Sequence, residues 1–291
     1  MTVNAPEQRQ YARQRRRYRA LPGLSLSLGI SLFWVGLIVL LPLASLVLMA
    51  ARLDAATFWA TVTSDRALHA YLVSFGAAAI GATVNLFCGL LLAWILVRYE
   101  FPGKTLLDAL VDLPLALPTA VAGIALTATF APTGLAGSVL ADLGIKGAYS
   151  FLGIVIALVF IGIPFVVRAV QPVLKDLQPE LEEAAATLGA TRGQTFFHVI
   201  LPALRPALVT GFALAFARGL GEYGSVVFIS GNLPGKTEIV PFLITTRLEE
   251  YKYPEAAALA VVMLVASLGV LFTLNRLEKA KKKRAPQLVT A

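Results

Sequence analysis

The feature that most constrains this chain is how far it runs without a charged side chain. Residues 20–51, 70–97, 113–141, 147–167 and 256–275 contain no Asp, Glu, Lys, Arg or His, and 206–235 is interrupted only by Arg218 and Glu222. A helix needs roughly 20 apolar residues to cross a bilayer core, so six segments qualify. Composition agrees: 57% of the 291 residues are hydrophobic and 14% are charged, against about 25% charged in soluble domains. In water, such a chain would expose apolar patches larger than a monomer tolerates. The fold expected is all-α and polytopic, with a basic segment 1–23, a six-span membrane domain 24–277 and a basic tail 278–291. Pro22 and Gly23 delay the first span to about Leu24, and Pro114, Pro118 and Pro132 predict a kinked or shortened third span.

Charge sets the expected orientation. Six arginines between Arg9 and Arg19 precede the first span, and Arg276, Lys279, Lys281, Lys282, Lys283 and Arg284 follow the last. Arg98, Lys104, Arg168, Lys175, Arg192 and Arg205 fall in loops on that same side, making 18 of the 25 basic residues. The positive-inside rule then places both termini in the cytoplasm. The terminal clusters read as contacts with anionic membrane lipids, not as a nucleic-acid surface. The first apolar run is about twice the 7–15 residues of a signal-peptide core, so it reads as a retained span.

The loop between the fourth and fifth spans, about 175–205, carries the most specific signal. Pro179 suits a first helical position, and Glu180, Glu182 and Glu183 lie where the helix dipole favours negative charge. Gly189 suits the position just past a helix end. Thr191 with Gln194 has capping-box spacing and predicts a second short helix, ending before Leu201 and Pro202. Large apolar residues on a cytoplasmic face need a cover, for which a partner protein is one candidate. The stretch Glu183-Ala184-Ala185, Gly189 four residues after Ala185, then Val199 and Leu201-Pro202 resembles the EAA signature of ABC-importer permeases, with valine at a position where that family has isoleucine. The resemblance implies a coupling helix docked on a separate ATPase, formed by Glu182, Glu183, Ala184, Ala185, Gly189, Val199, Leu201 and Pro202. It also implies a type I (MetI-like) permease core over about 68–277.

Further segments resemble the oxyanion-importer branch: 98–104, Asp108, Asp112, 113–123, and Arg218-Gly219-Leu220-Gly221-Glu222-Tyr223-Gly224. Segments 106–110, 163–168 and 171–174 resemble sulfate/thiosulfate permeases of the T type more closely than molybdate permeases. That likeness implies ATP-driven import of sulfate or thiosulfate. Its implied partners are a homologous second permease, two copies of an ATP-binding subunit and an extracytoplasmic binding protein. A molybdate- or tungstate-type permease working as a homodimer is the alternative within transport. An ion-coupled secondary transporter is the alternative outside it, disfavoured by the loop at 175–202 and by the lack of inverted repeats.

Arg218 and Glu222 are expected near the middle of a fifth span at about 206–230, four residues apart on one helix face. Charges at that depth are expensive and face the bundle interior or water with a partner at hand. Two roles are open for Arg218, Glu222 and Tyr223: lining the path of a doubly charged oxyanion, or locking the helices at a gate. Other signals lead nowhere. Gly231-Asn232-Leu233-Pro234-Gly235-Lys236-Thr237 has one residue too few between its glycines for a phosphate-binding loop. His69 and His198 lie far apart, Cys88 is single and expected in the core, and no metal site is expected. Asp108 and Asp112 read as rim residues paired with a cation. Without a nucleophile–base arrangement, the chain is expected to be a transporter subunit and not an enzyme. It is expected to bind no cofactor itself, ATP being used by the partner.

Overall fold

The computed structural model describes residues 24–284, so the arginine cluster before Leu24 and the tail 285–291 lie outside the described residues. Among the described residues every element is helical. Two units are distinct, 24–48 and Met49 onward. The first holds α1 (Leu24–Val35) and most of α2 (Leu41–Ala50), joined through a π turn over Gly36–Leu40. Leu26–Ala50 is apolar throughout and long enough to cross a bilayer. The π turn has a local cause. Pro42 has no N–H to give, and its ring crowds the carbonyl four residues back. Leu41 N–H instead reaches five residues back, to Gly36 O, and the widened turn accommodates the ring.

The second unit contains α3 (Ala55–Val62), α4 (Asp65–Arg98), α5 (Lys104–Ala116), α6 (Thr119–Phe130), α7 (Leu135–Asp142) and α8 (Phe151–Lys175). It continues with α9 (Pro179–Thr187), α10 (Arg192–Thr195), α11 (Leu201–Leu220), α12 (Val226–Ile229), α13 (Val240–Glu249) and α14 (Tyr253–Arg284). The centre is a tight trio of α4, α8 and α11. Lipid offers helices little hydrophobic reason to associate, so close backbone approach must hold them. The buried face of α4 is built for that, with Ala70, Ser74, Ala77, Gly81, Asn85, Gly89 and Ala93 recurring every three or four residues. A Cβ on Gly89 would lie 2.7 Å from Val166 Cβ of α8, and one on Gly81 would lie 3.1 Å from Leu158 Cβ.

Helices outrun the charge-free segments because their end charges find partners or reach the interface. The second span is Asp65–Arg98, the fourth Phe151–Lys175 and the sixth lies within α14. The third is kinked and shortened at its prolines, as expected. In place of 113–141, it is the pair α5 and α6, bent by 111° at Leu117 and Pro118, with 135–142 forming the separate short α7. Pro118 cannot continue α5, and Pro132 leaves Ala131 extended, which ends α6. The bent pair still traverses the bundle. Ala148 N–H, just before α8, donates to Phe130 O at 2.9 Å. Asp108 and Asp112 bind Arg168, 17 residues into α8 from Phe151, or about 25 Å of helix. With the five helices that are long and apolar enough singly, the bent pair brings the candidate crossings among the described residues to six.

Candidate functional site

The segment 179–200 holds α9, α10 and the π turn that leads into α11. Pro179 starts α9, with Glu180 and Glu182 in its first turn. Gly189 takes φ +82° and ends it, with Gly189 N–H on Ala186 O at 2.9 Å and Ala190 N–H on Ala185 O at 3.0 Å. This is a Schellman closure, which satisfies carbonyls that the helix end leaves free. The Thr191–Gln194 capping box forms as the spacing predicts, through bonds of 2.8 and 3.3 Å. No residue of α9 is buried. Leu188 is 88% exposed, and Leu181, Glu183, Ala184 and Phe197 are exposed with it. Beside Gly189, Gln194, Thr195, His198 and Val199 line an open concavity of about 410 Å³.

One expectation here is corrected. The second helix does not stop before Leu201-Pro202. It passes from α10 through a π turn at Phe196–Ile200 into α11, giving one helix from Arg192 to Leu220. The device is that of the first span: Leu201 N–H reaches back to Phe196 O, and Pro202 follows. Val199, Leu201 and Pro202 are partly buried beside the fully buried Leu204. They are therefore the root of α11, while Glu183, Ala184 and Gly189 are exposed. Glu182 and Ala185 are only partly exposed. Glu182 is paired with Arg98 at the end of α4, and the Arg98 guanidinium lies 5.3 Å from the Trp94 ring.

The membrane charges also sit differently from expectation. α11 ends at Leu220, so Arg218 is in its last turn and not at mid-helix, and Glu222 lies beyond the end. Gly219 and Gly221 weaken the helix there, and Glu222 is engaged elsewhere. Its Oε1 accepts from Ser225 N–H at 2.9 Å and Ser225 Oγ at 3.0 Å, while Oε2 pairs with Arg218 Nη1 at 2.5 Å. The ion pair thus forms, with the Glu222 side chain 2% exposed and that of Arg218 34% exposed. Tyr223 is partly buried and its carbonyl accepts from Val227 N–H at 2.9 Å.

This break in the fifth span packs on the break in the third. A Cβ on Gly123 of α6 would lie 2.5 Å from Ser225 O, and one on Gly224 would strike the Thr119 side chain. No motif in the sequence announces that meeting. Asp108 and Asp112 do pair with a cation: Arg168 Nη1 lies 2.7 Å from Asp108 and Nη2 2.5 Å from Asp112. Cys88, expected in the core, is exposed. The segment 231–237 is a compact turn in which Leu233 O accepts from Lys236, Thr237 and Glu238. Among the described residues no cluster of three metal-ligating side chains occurs.

The described residues thus hold a bent third span, a fifth that breaks after Leu220, and a capped helix–turn–helix at 179–195. A family model described as the binding-protein-dependent transport system inner membrane component matches residues 85–284, and the chain belongs to that family. It is accordingly a multi-pass inner-membrane component of an ABC importer. It is 53% identical over 266 residues to the sulfate transport system permease protein CysT of Escherichia coli (strain K12), covering 91% of this chain and 96% of that one. CysT of Synechocystis sp. is 44% identical, covering 98% of this chain and 99% of that one. The fold matches a chain in the crystal structure of a bacterial alginate ABC transporter in complex with an alginate pentasaccharide-bound periplasmic protein. The TM-score is 0.73 at 16% identity, over 89% of this chain and 95% of that one. It also matches a chain of the MetNI methionine ABC transporter, with a TM-score of 0.56 at 16% identity, over 78% of this chain and 99% of that one.

Proposed function

We propose that this chain is a translocation subunit for ATP-driven import of sulfate and thiosulfate. It acts beside a homologous second permease, two copies of an ATP-binding subunit and an extracytoplasmic binding protein for those anions. The observation that carries the ATPase coupling is the bare outer face of α9 and its glycine turn. Leu181, Glu183 and Leu188 present apolar and acidic groups with none of the described residues over them, as a docking element requires. Support for the substrate comes from the relatives named as sulfate permeases.

In this reading α9 lies in the cytoplasm. Six crossings then put both termini there, in keeping with the excess of Lys and Arg on that side. Closure of the ATPase pair pulls α9. The pull reaches α11 through the continuous helix from Arg192, and reaches the Arg218–Glu222 break at its far end. Gly219 there stands level with Leu158, about 10 Å along α8 from Phe151. Arg218, one-third exposed, keeps guanidinium N–H groups beyond its single ion pair, and these suit a dianion in transit. Its attraction must stay moderate for the anion to leave. ATP is bound and hydrolysed by the partner, not by this chain.

Affinity purification of the tagged chain from membranes tests the assembly. Co-purification of an ATPase and of a second, non-identical permease is expected. Recovery of a homodimer would favour the molybdate-type alternative. Glu183→Lys should reduce the recovered ATPase.

A further inference from the structure

α4 runs unbroken from Asp65 to Arg98 without a proline, and each end carries an arginine bonded to a carboxylate remote in sequence. At its start, Arg66 donates twice to Glu238, Nε to Oε2 at 2.8 Å and Nη2 to Oε1 at 2.7 Å. The Glu238 side chain is 1% exposed. Two residues on, Val240 N–H at the start of α13 donates to Ser74 Oγ of α4 at 2.9 Å. At the other end, Arg98 holds Glu182 of α9. The Trp94 ring, one turn earlier, meets Phe196 edge-on at 5.5 Å. α9 buries no residue; it packs on α10 and the π turn at Phe196–Ile200, and the Glu182–Arg98 pair ties it to α4.

The two arginines are 32 residues apart, about 48 Å of helix. A charge pair with one buried partner is seldom the most stabilising way to join two elements, because desolvation offsets the attraction. What the Arg66 fork on Glu238 adds is fixed register, while Arg98 reaches Glu182 through one N–H group, Nη2. Glu182 and Glu183 divide the work accordingly: one is turned to the chain's own α4, the other to the outside.

We propose that α4 is a rigid rod linking the two faces of the membrane, with Arg66 and Arg98 as positioning residues. They lock loop 231–239 at one face and the ATPase-docking helix at the other to a single body. A partner seated on one face then biases the other. This rests on the reading of α9 as an ATPase dock.

The test uses the whole complex, purified and reconstituted, with Arg66→Ala and Arg98→Ala in this chain. The ATPase should be recovered with each variant at the parental ratio. Stimulation of ATP hydrolysis by sulfate-loaded binding protein should fall about tenfold. Charge exchange, Arg66→Glu with Glu238→Arg and Arg98→Glu with Glu182→Arg, should restore it to within about threefold. Should an alanine variant be absent from the membrane, Arg66→Lys or Glu182→Gln replaces it under the same criteria. Undiminished stimulation in the single variants overturns the proposal, and so does a loss that charge exchange fails to repair. An unaltered chain that recovers no ATPase refutes the docking reading instead, in a sample where neither arginine has been changed.

Discussion

Arg218 Nη1 lies 2.5 Å from Glu222 Oε2 across the end of α11, and the same Glu222 carboxylate accepts both donors of Ser225. One side chain thus ends a membrane helix, starts the next short one and neutralises an arginine. Arg218→Leu leaves Glu222 buried without its counter-charge, a loss of about 3–5 kcal/mol when the partner is truncated. Reduced thermal stability of the detergent-solubilised chain and loss of sulfate uptake are expected. Arg218→Lys should recover most of the stability. If it does so while the apparent KM for sulfate rises, Arg218 lies on the anion's path. If KM stays fixed, its work is structural.

Gly189 stands at φ +82° with open space where a Cβ would go. Gly189→Val therefore meets no clash but forces a β-branched residue into the left-handed region, at about 1–2 kcal/mol or more. The bundle does not depend on that turn. Membrane insertion and yield should match the parent while uptake is abolished. Normal uptake would remove the coupling role of the α9 turn.

The broken crossings meet through Gly123 and Ser225. Gly123→Ala places a methyl 2.5 Å from Ser225 O, a backbone atom that cannot rotate away. Overpacking of this kind typically costs about 1–3 kcal/mol, visible as a lowered Tm in detergent. Gly76→Ala is the control, since its nearest neighbour, the Phe151 ring, is 4.0 Å away. That variant should be neutral or slightly stabilising.

At the turn between α13 and α14, Lys252 and then Arg247 hold the Glu250 carboxyl below its ordinary range. Their distances to Oε2 are 3.1 and 2.8 Å. A folded-state value lower than the unfolded one means that this cluster contributes fully above the ordinary glutamate range. The contribution is lost as pH falls through the lowered value. Hydrogen exchange at the Tyr251 and Lys252 amides, corrected for intrinsic rates, should accelerate over that acid window in the parent. In Glu250→Gln it should show no such step.

Legibility in the sequence followed the range of each interaction. The α9 turn was readable because its signals, Pro179, Gly189 and the Thr191–Gln194 box, act over four residues or fewer. Asp108 and Asp112, one turn apart, read as rim residues paired with Arg or Lys, and Arg168 pairs with both, which the spacing did not single out. Charge-free length located the crossings but overextended the fifth. The residues 223–235 remain free of charge, although Gly221 and the Glu222–Ser225 bonds stop the helix. Nor does hydropathy register the π turns before Pro42 and Pro202, where one wide turn carries a helix into a proline. The Arg66–Glu238 fork joins residues 172 positions apart, and neither has a local pattern to mark it.

Labelled sulfate uptake into proteoliposomes tests the central claim most directly. One preparation contains this chain with its ATPase, second permease and binding protein, and the other contains this chain alone. Uptake confined to the complete assembly, requiring ATP and abolished by Gly189→Val, is the predicted result. Sulfate accumulation by the chain alone in liposomes free of nucleotide would contradict the account.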